Sequence, residues 1–135
     1  MVEMIEFKKK ISQIKRARKV SECFYHDKSQ CNGKIKQSHS LQRNGRLSII
    51  EGTVNGQNAI YTFTDFGSDE KKFVKKLKPI GKGEASTLFG FCDYHDTTLF
   101  SPIEGNNNFD ESDYHCFLHS YRSFAHSYHR KKEDV

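Results

Sequence analysis

A chain of 135 residues is long enough for one modest core and too short for two. Only 35% of it is hydrophobic, Trp is absent and mean hydropathy is -0.79, so eleven Phe and six Tyr must carry the packing, and no stretch is apolar enough for a membrane-spanning helix. The formal charge of +5 suits a polyanionic partner.

Residues 4–19 are predicted to form an amphipathic helix. Met4, Phe7, Ile11 and Ile14 recur at spacings of three and four as a core-docking stripe, with Lys8, Lys9, Lys10, Lys15, Arg16, Arg18 and Lys19 around it. Next comes Cys23-Phe-Tyr-His-Asp-Lys-Ser-Gln-Cys31, followed by the turn-forming Asn32-Gly33, which together look like a zinc knuckle with a wide spacing. The chain leaves the knuckle through residues 34–39, and residues 47–50 form a short apolar patch compatible with helix or strand.

Asn55-Gly56 between Thr53-Val54 and the run 59–63 predicts a β-hairpin with a type I′ turn. Ser68 is expected to cap a short helix over 69–77. Pro79, Gly81 and Gly83 then predict a mobile loop, and lysines 71, 72, 75, 76, 78 and 82 a solvated surface. Residues 91–100 read as a helix that stops before Pro102. A linker containing Gly105 and Asn106, Asn107 and Asn108 leads to a last helix over 113–130 and a charged, frayed tail. In that last helix His115, His119, Arg122, His126 and His129 make a polar stripe, with Phe117, Leu118, Tyr121, Phe124, Ala125 and Tyr128 expected as the core face.

Four cysteines without a secretory leader point to a reduced, cytoplasmic protein and to metal ligation rather than disulfides. Structural zinc takes four Cys or His ligands, usually as two pairs from distant parts of a chain. Cys23 with Cys31 and Cys92 with His95 fit that rule. Two rivals exist: His26 forms a Cys-x-x-His pair with Cys23, and Cys116 forms another with His119. His115 and His119, at i and i+4, are candidates for a second metal.

A knuckle, a hairpin and a helix bearing the second ligand pair resemble the treble-clef zinc fingers of the HNH, or ββα-metal, nuclease superfamily. Ser38-His39-Ser40 resembles its strand-end base motif, and Cys92-Asp-Tyr-His95-Asp96 its helix motif. The resemblance implies His39 as the general base that takes a proton from water, Asp96 as ligand to a catalytic Mg²⁺ or Mn²⁺, and Glu104 as a further member of that metal shell. Asn44, Asn55 and Asn58 are the candidates for the middle Asn of the HNH pattern. Lys36-Gln-Ser-His39-Ser-Leu-Gln and Gly90-Phe-Cys92-Asp-Tyr-His95-Asp96-Thr-Thr-Leu-Phe-Ser-Pro-Ile-Glu104 also resemble an uncharacterised bacterial family, which names no activity.

The expected architecture is therefore α+β: a treble-clef-like, zinc-bound ββα core over 21–104 with a β-hairpin, flanked by a basic helix over 1–20 and a C-terminal helix over 113–130, all in one domain. About fifty residues separate His39 from Cys92, so the core must accommodate an insertion. Two functions are in view. One is a metal-dependent endonuclease acting on DNA or RNA. The other is a non-catalytic zinc module that binds nucleic acid or a protein partner, with no membrane involved. Arg43, Arg46 and Arg122 are the candidate phosphate contacts.

Overall fold

The computed structural model describes residues 2–43, 45–63, 77–105 and 107–134. Within them the chain is a mixed α/β protein with two small antiparallel sheets. Helix α1 (Val2–Ala17) has Glu3 in its first turn and Lys15 and Arg16 in its last, a charge order that suits the helix dipole. It does not dock as the periodicity predicts: Met4, Phe7, Ile11 and Ile14 all remain exposed. Periodicity reports which residues share a face, and here that face joins neither core, although Ile11 lines a shallow groove that Glu133 borders.

Strand β1 (Ile35–His39) pairs with β5 (Thr87–Cys92), Ile35 opposite Cys92 and His39 opposite Thr87. The sequence between them makes the expected excursion. It contains α2 (Arg46–Ile49), which settles the apolar patch as helical, and the sheet β2 (Gly52–Val54), β3 (Gln57–Phe63) and β4 (Leu77–Ile80). The hairpin turn falls at Asn55 and Gly56, whose φ values of 52° and 77° are the left-handed pair a type I′ turn demands. Pro79, expected in a loop, instead lies in β4 opposite Tyr61, at the outer position of the sheet where a missing N–H is tolerated. The predicted helix over 69–77 and its Ser68 cap lie outside the described residues, apart from Leu77 in β4. Lysines 71, 72, 75 and 76 also lie outside them, as does Asn44.

Helix α3 (Asp93–Phe100) starts two residues later than expected, because Phe91 and Cys92 belong to β5. A 3₁₀ turn, Ser101–Ile103, carries Pro102 and ends the helix. Helix α4 (Asp113–Asp134) is capped by Ser112, whose Oγ accepts the His115 N–H (3.2 Å), and it runs through the stretch expected to fray. Its last turn is tied down: Glu133 Oε1 accepts the Val20 N–H (3.2 Å) and Lys132 pairs with Glu22.

Two cores result. Leu88, Phe91, Phe100, Ile103, Leu118 and Ala125 join β5, α3 and α4, while Leu47, Ile60 and Ala85 hold the excursion. Around α4 the expected polarity is reversed in part. Arg122 and His129 are buried beside Leu118 and Ala125, whereas Phe117, Phe124 and Tyr128 are exposed. The knuckle enters as an extended segment along β5: Glu22 N–H donates to the Phe89 carbonyl (3.2 Å) and Phe24 N–H to that of Gly90 (2.8 Å). Phe24 lies edge-on to Phe91 and Tyr128, directly over Gly90.

A Cβ at position 90 would stand 2.6 Å from two Phe24 ring atoms and 3.0 Å from Leu88 Cδ1. Overpacking of this kind costs about 1–3 kcal/mol. Gly90→Ala should therefore lower the unfolding free energy by that amount, seen as a lower urea midpoint at unchanged m-value, and an unchanged midpoint would contradict the close packing of knuckle on strand.

Candidate metal centre and the buried ionic cluster

Each ligand of the metal centre is placed by local backbone chemistry. Cys23 rides on the segment pinned to β5. Cys31 follows a turn in which Asp27 Oδ1 accepts the Ser29 N–H (2.8 Å) and the Cys31 N–H donates to the Lys28 carbonyl (3.1 Å). Gly33, at φ 72°, and Asn32, whose Oδ1 accepts the Lys34 N–H (3.2 Å), turn the chain back towards β1. Cys92 closes β5 and caps α3, and His95 stands in the first turn of that helix. The pair is thus a strand-end Cys and a helical His rather than two residues of one helix.

The four donor atoms lie within 4.8 Å of one another, so these residues could hold a metal ion. His95 presents Nδ1, which is 3.5 Å from Cys23 Sγ, 3.4 Å from Cys31 Sγ and 3.2 Å from Cys92 Sγ. Cys92 Sγ and Cys31 Sγ are 3.9 Å apart, far beyond a disulfide bond. A tetrahedral ion with S ligands at ~2.3 Å and an N ligand at ~2.0 Å separates its S donors by about 3.8 Å and S from N by about 3.5 Å. The donor set fits. Cys92 and His95 are buried, and the Tyr25 ring lies over His95 at 4.3 Å between centroids.

Without an ion Cys31 and Cys92 are shifted in opposite directions. Burial and the neighbouring Cys23 and Cys92 push the Cys31 thiol up to about 11. At Cys92 burial works in the same direction, but hydrogen bonds from the His95 and Asn32 backbone, with those from the other two thiols, outweigh it and lower the value. A bound cation relieves this competition by holding all three as thiolates.

The rivals fall away on position. His26 is exposed with its ring against Tyr25, and Cys116 is exposed on α4; neither belongs to the group. His115 Nδ1 lies 3.1 Å from Asp110, and the His119 ring sits edge-on to Phe109, so among the described residues these two gather no third metal ligand.

Beginning one residue after His95 is a second cluster, of charged and polar side chains. Asp96 is 3% exposed. Its Oδ1 accepts the Ser38 hydroxyl (2.6 Å) and lies 3.9 Å from Arg122 Nη2, while its Oδ2 lies 3.6 Å from Lys36 Nζ. Arg122, 2% exposed, also pairs with Glu104 and lies 4.3 Å from the centroid of the Phe100 ring. Arg122 is therefore spoken for by two carboxylates and is not a surface phosphate contact, contrary to expectation. The sequence pattern does not by itself mark Lys36, Ser38 and Arg122 as partners of Asp96, although two-residue alternation along 36–38 places the first two on one side of the strand.

The other side of β1 carries His39. Gln37 Nε2–H donates to the Gly83 carbonyl (3.5 Å) and His39 Nδ1–H to the Ala85 carbonyl (3.0 Å). Lys36 and Ser38 thus reach towards Asp96, and Gln37 and His39 reach away from it. The three residues expected to share a catalytic ion are not gathered: Asp96 and Glu104 share Arg122, and His39 stands apart. Asn55 lies in the hairpin turn and Asn58 is exposed on β3, so neither braces His39. Arg43 and Arg46 are exposed, and Gln42 anchors their loop by donating to the Gly105 carbonyl (2.7 Å). The surroundings of His119 are cationic, since its value is lowered by burial and then by Arg122, His115 and Arg46.

Comparisons with family models, curated proteins and solved structures find no match to this chain.

Removing one partner of a buried ionic cluster leaves an uncompensated charge and costs about 3–5 kcal/mol. Arg122→Ala should lose stability on that scale in denaturant unfolding. Lys82→Ala, which removes a partly exposed pair with Glu51, should stay within about 1 kcal/mol of wild type. Equal losses in the two variants would show that the cluster does not hold α3 to α4.

Proposed function

We propose that the chain is a cytoplasmic, zinc-nucleated module of treble-clef type that binds nucleic acid without cutting it. Three thiolates and one imidazole are the soft donor set that selects zinc, and the spacing of the donors suits a tetrahedral ion with no open position. The order of knuckle, β1, β5 and α3, with ligands before the first strand and across the junction of the last strand and helix, supports the treble-clef assignment.

The observation that carries the non-catalytic reading is the state of Asp96. Its oxygens face a hydroxyl and two cationic side chains in a buried setting, so its charge is already compensated. A divalent ion would have to displace Lys36 and Arg122. For a nucleic-acid partner the support is the cation surplus, with Arg43 and Arg46 exposed on one loop and short helix.

A second reading, an HNH-like endonuclease, draws on one feature of His39. A carbonyl oxygen only accepts, so the bond to Ala85 places the proton of a neutral His39 on Nδ1 and leaves the Nε2 lone pair for a proton from water. That is the tautomer a general base needs. The divalent ion would then have to be held elsewhere than on Asp96.

The freshly purified protein should carry one equivalent of zinc, and chelation should abolish the cooperative unfolding transition, because binding and folding are coupled in a small core. Less than about half an equivalent would contradict a structural zinc.

Fluorescence anisotropy with labelled duplex should show affinity falling steeply with salt, and Arg43→Ala with Arg46→Ala should reduce the log–log salt slope by about 2, since each lost phosphate contact removes ~0.9. In the same preparations Mg²⁺ or Mn²⁺ should produce no plasmid cleavage. Cleavage that His39→Ala abolishes would replace the binding reading with the nuclease one, and a salt-independent or undetectable affinity would remove both.

A further inference from the structure

Two apolar stripes in this chain lie open. On α1, Met4, Phe7, Ile11 and Ile14 fall within one quadrant of the helix; on α4, Tyr114, Phe117, Phe124 and Tyr128 do the same. All eight side chains are between 39% and 64% exposed. The α4 stripe is ordered as well as open, because Phe117 stacks on Tyr121 and Phe124 on Tyr128, each pair with rings 12° from parallel. At ~1.5 Å per residue the stripes run for about 15 Å and about 21 Å, lengths that one helix can lay along another.

Their end charges decide how they can meet. Helix α1 carries Glu3 and Glu6 near its start and Lys15 and Arg16 in its last turn; α4 begins beside Glu111 and Asp113 and closes with Arg130, Lys131 and Lys132 ahead of Glu133 and Asp134, a net positive end. Antiparallel alignment sets acidic ends on basic ends and opposes the two helix dipoles, while parallel alignment sets like on like. Within one chain only the parallel arrangement is within reach. Val20, three residues after α1, is clamped to the last turns of α4: its N–H donates to Glu133 and its carbonyl accepts from His129 Nε2 at 2.9 Å. Folding α1 back over its own α4 from that anchor would therefore run the two helices in the same direction. A second copy has no such restriction.

We propose that two copies of this chain pair by reciprocal exchange, the α1 stripe of each lying antiparallel on the aromatic stripe of the other's α4. Lys8 and Lys10 flank the α1 stripe and meet ring faces, a contact the chain already uses where Lys19 lies over Phe89 and Lys132 over Tyr128. A fully buried aromatic side chain covers roughly 150–250 Å², so a half-exposed one still offers about 100 Å². Five such aromatic side chains and three aliphatic ones, each offering roughly two-thirds as much, give each α1–α4 contact about 700 Å², and the two symmetric contacts give about 1,400 Å², within the range of a standard stable interface. The pairing closes on itself and so stops at two.

Light scattering on the size-excluded, zinc-loaded full chain at tens of micromolar should give twice the chain mass of 15.7 kDa. Ile11→Asp and Phe124→Asp should each give the single-chain mass, with zinc content and far-ultraviolet circular dichroism unchanged. Mixed in equal amounts at about tenfold higher concentration, the two variants should form more dimer than either alone, because a mixed pair retains one of the two contacts with both stripes intact. A wild-type protein at 15.7 kDa overturns the proposal. A dimer that survives Ile11→Asp overturns it too, since that is the outcome of α4 pairing with α4. So does a mixture no heavier than either variant alone.

Discussion

The convergence of Cys23, Cys31, Cys92 and His95 is the constraint on which the rest of this structure depends. It joins positions 72 residues apart in a chain whose apolar content leaves two small cores. Closing a loop of that length costs entropy that grows only slowly with its length, so a few strong bonds at the closing point can hold a long excursion. The described residues between His39 and Thr87 form such an excursion. His39 and Thr87 face each other across β1 and β5, and the sequence between them is free to build its own sheet around Leu47, Ile60 and Ala85 without disturbing the closing point. The four residues that could hold a metal ion and the strand pair bring the same two stretches of chain together.

The ionic cluster is the second consequence. A helix starting at the metal centre carries Asp96 inward one residue after His95, and a buried carboxylate must be compensated. The compensation arrives as three side chains from two elements: Lys36 and Ser38 from β1, and Arg122 from α4. Arg122 in turn collects Glu104 from the turn after α3. One charged residue thus couples strand, helix and C-terminal helix, and the same satisfaction that makes the cluster a good fastener makes Asp96 a poor site for a further cation.

Much of this was legible in the residues, but unevenly. Asn55-Gly56 declared its hairpin because a type I′ turn needs two left-handed residues and few pairs supply them. The ligand set was legible because Cys and His in paired spacings have few other uses in a reduced chain. The start of α3 was not. Phe91 and Cys92 look helical in a window of their neighbours, and what makes them a strand is β1, more than fifty residues away. Nor could the inward face of α4 be read, since two stripes recur with the same period and periodicity does not say which turns inward. The choice was made by needs elsewhere: Asp96 and Glu104 require Arg122, and the Val20 carbonyl requires His129.

That reversal ties the outer face of α4 to the metal. Once Arg122 and His129 turn inward, helical geometry leaves the aromatic residues a third of a turn away facing outward. They do not stand unsupported. Tyr128 rests edge-on against Phe24 at 5.1 Å, and Phe24 is the residue after the ligand Cys23, held over Gly90 by the same backbone bonds that present the thiolate. Releasing the ion would free Cys23, loosen Phe24 from β5 and remove the support beneath Tyr128, against which Phe124 stacks. The exposed aromatic surface is therefore as well defined as the buried metal centre beneath it, and no better.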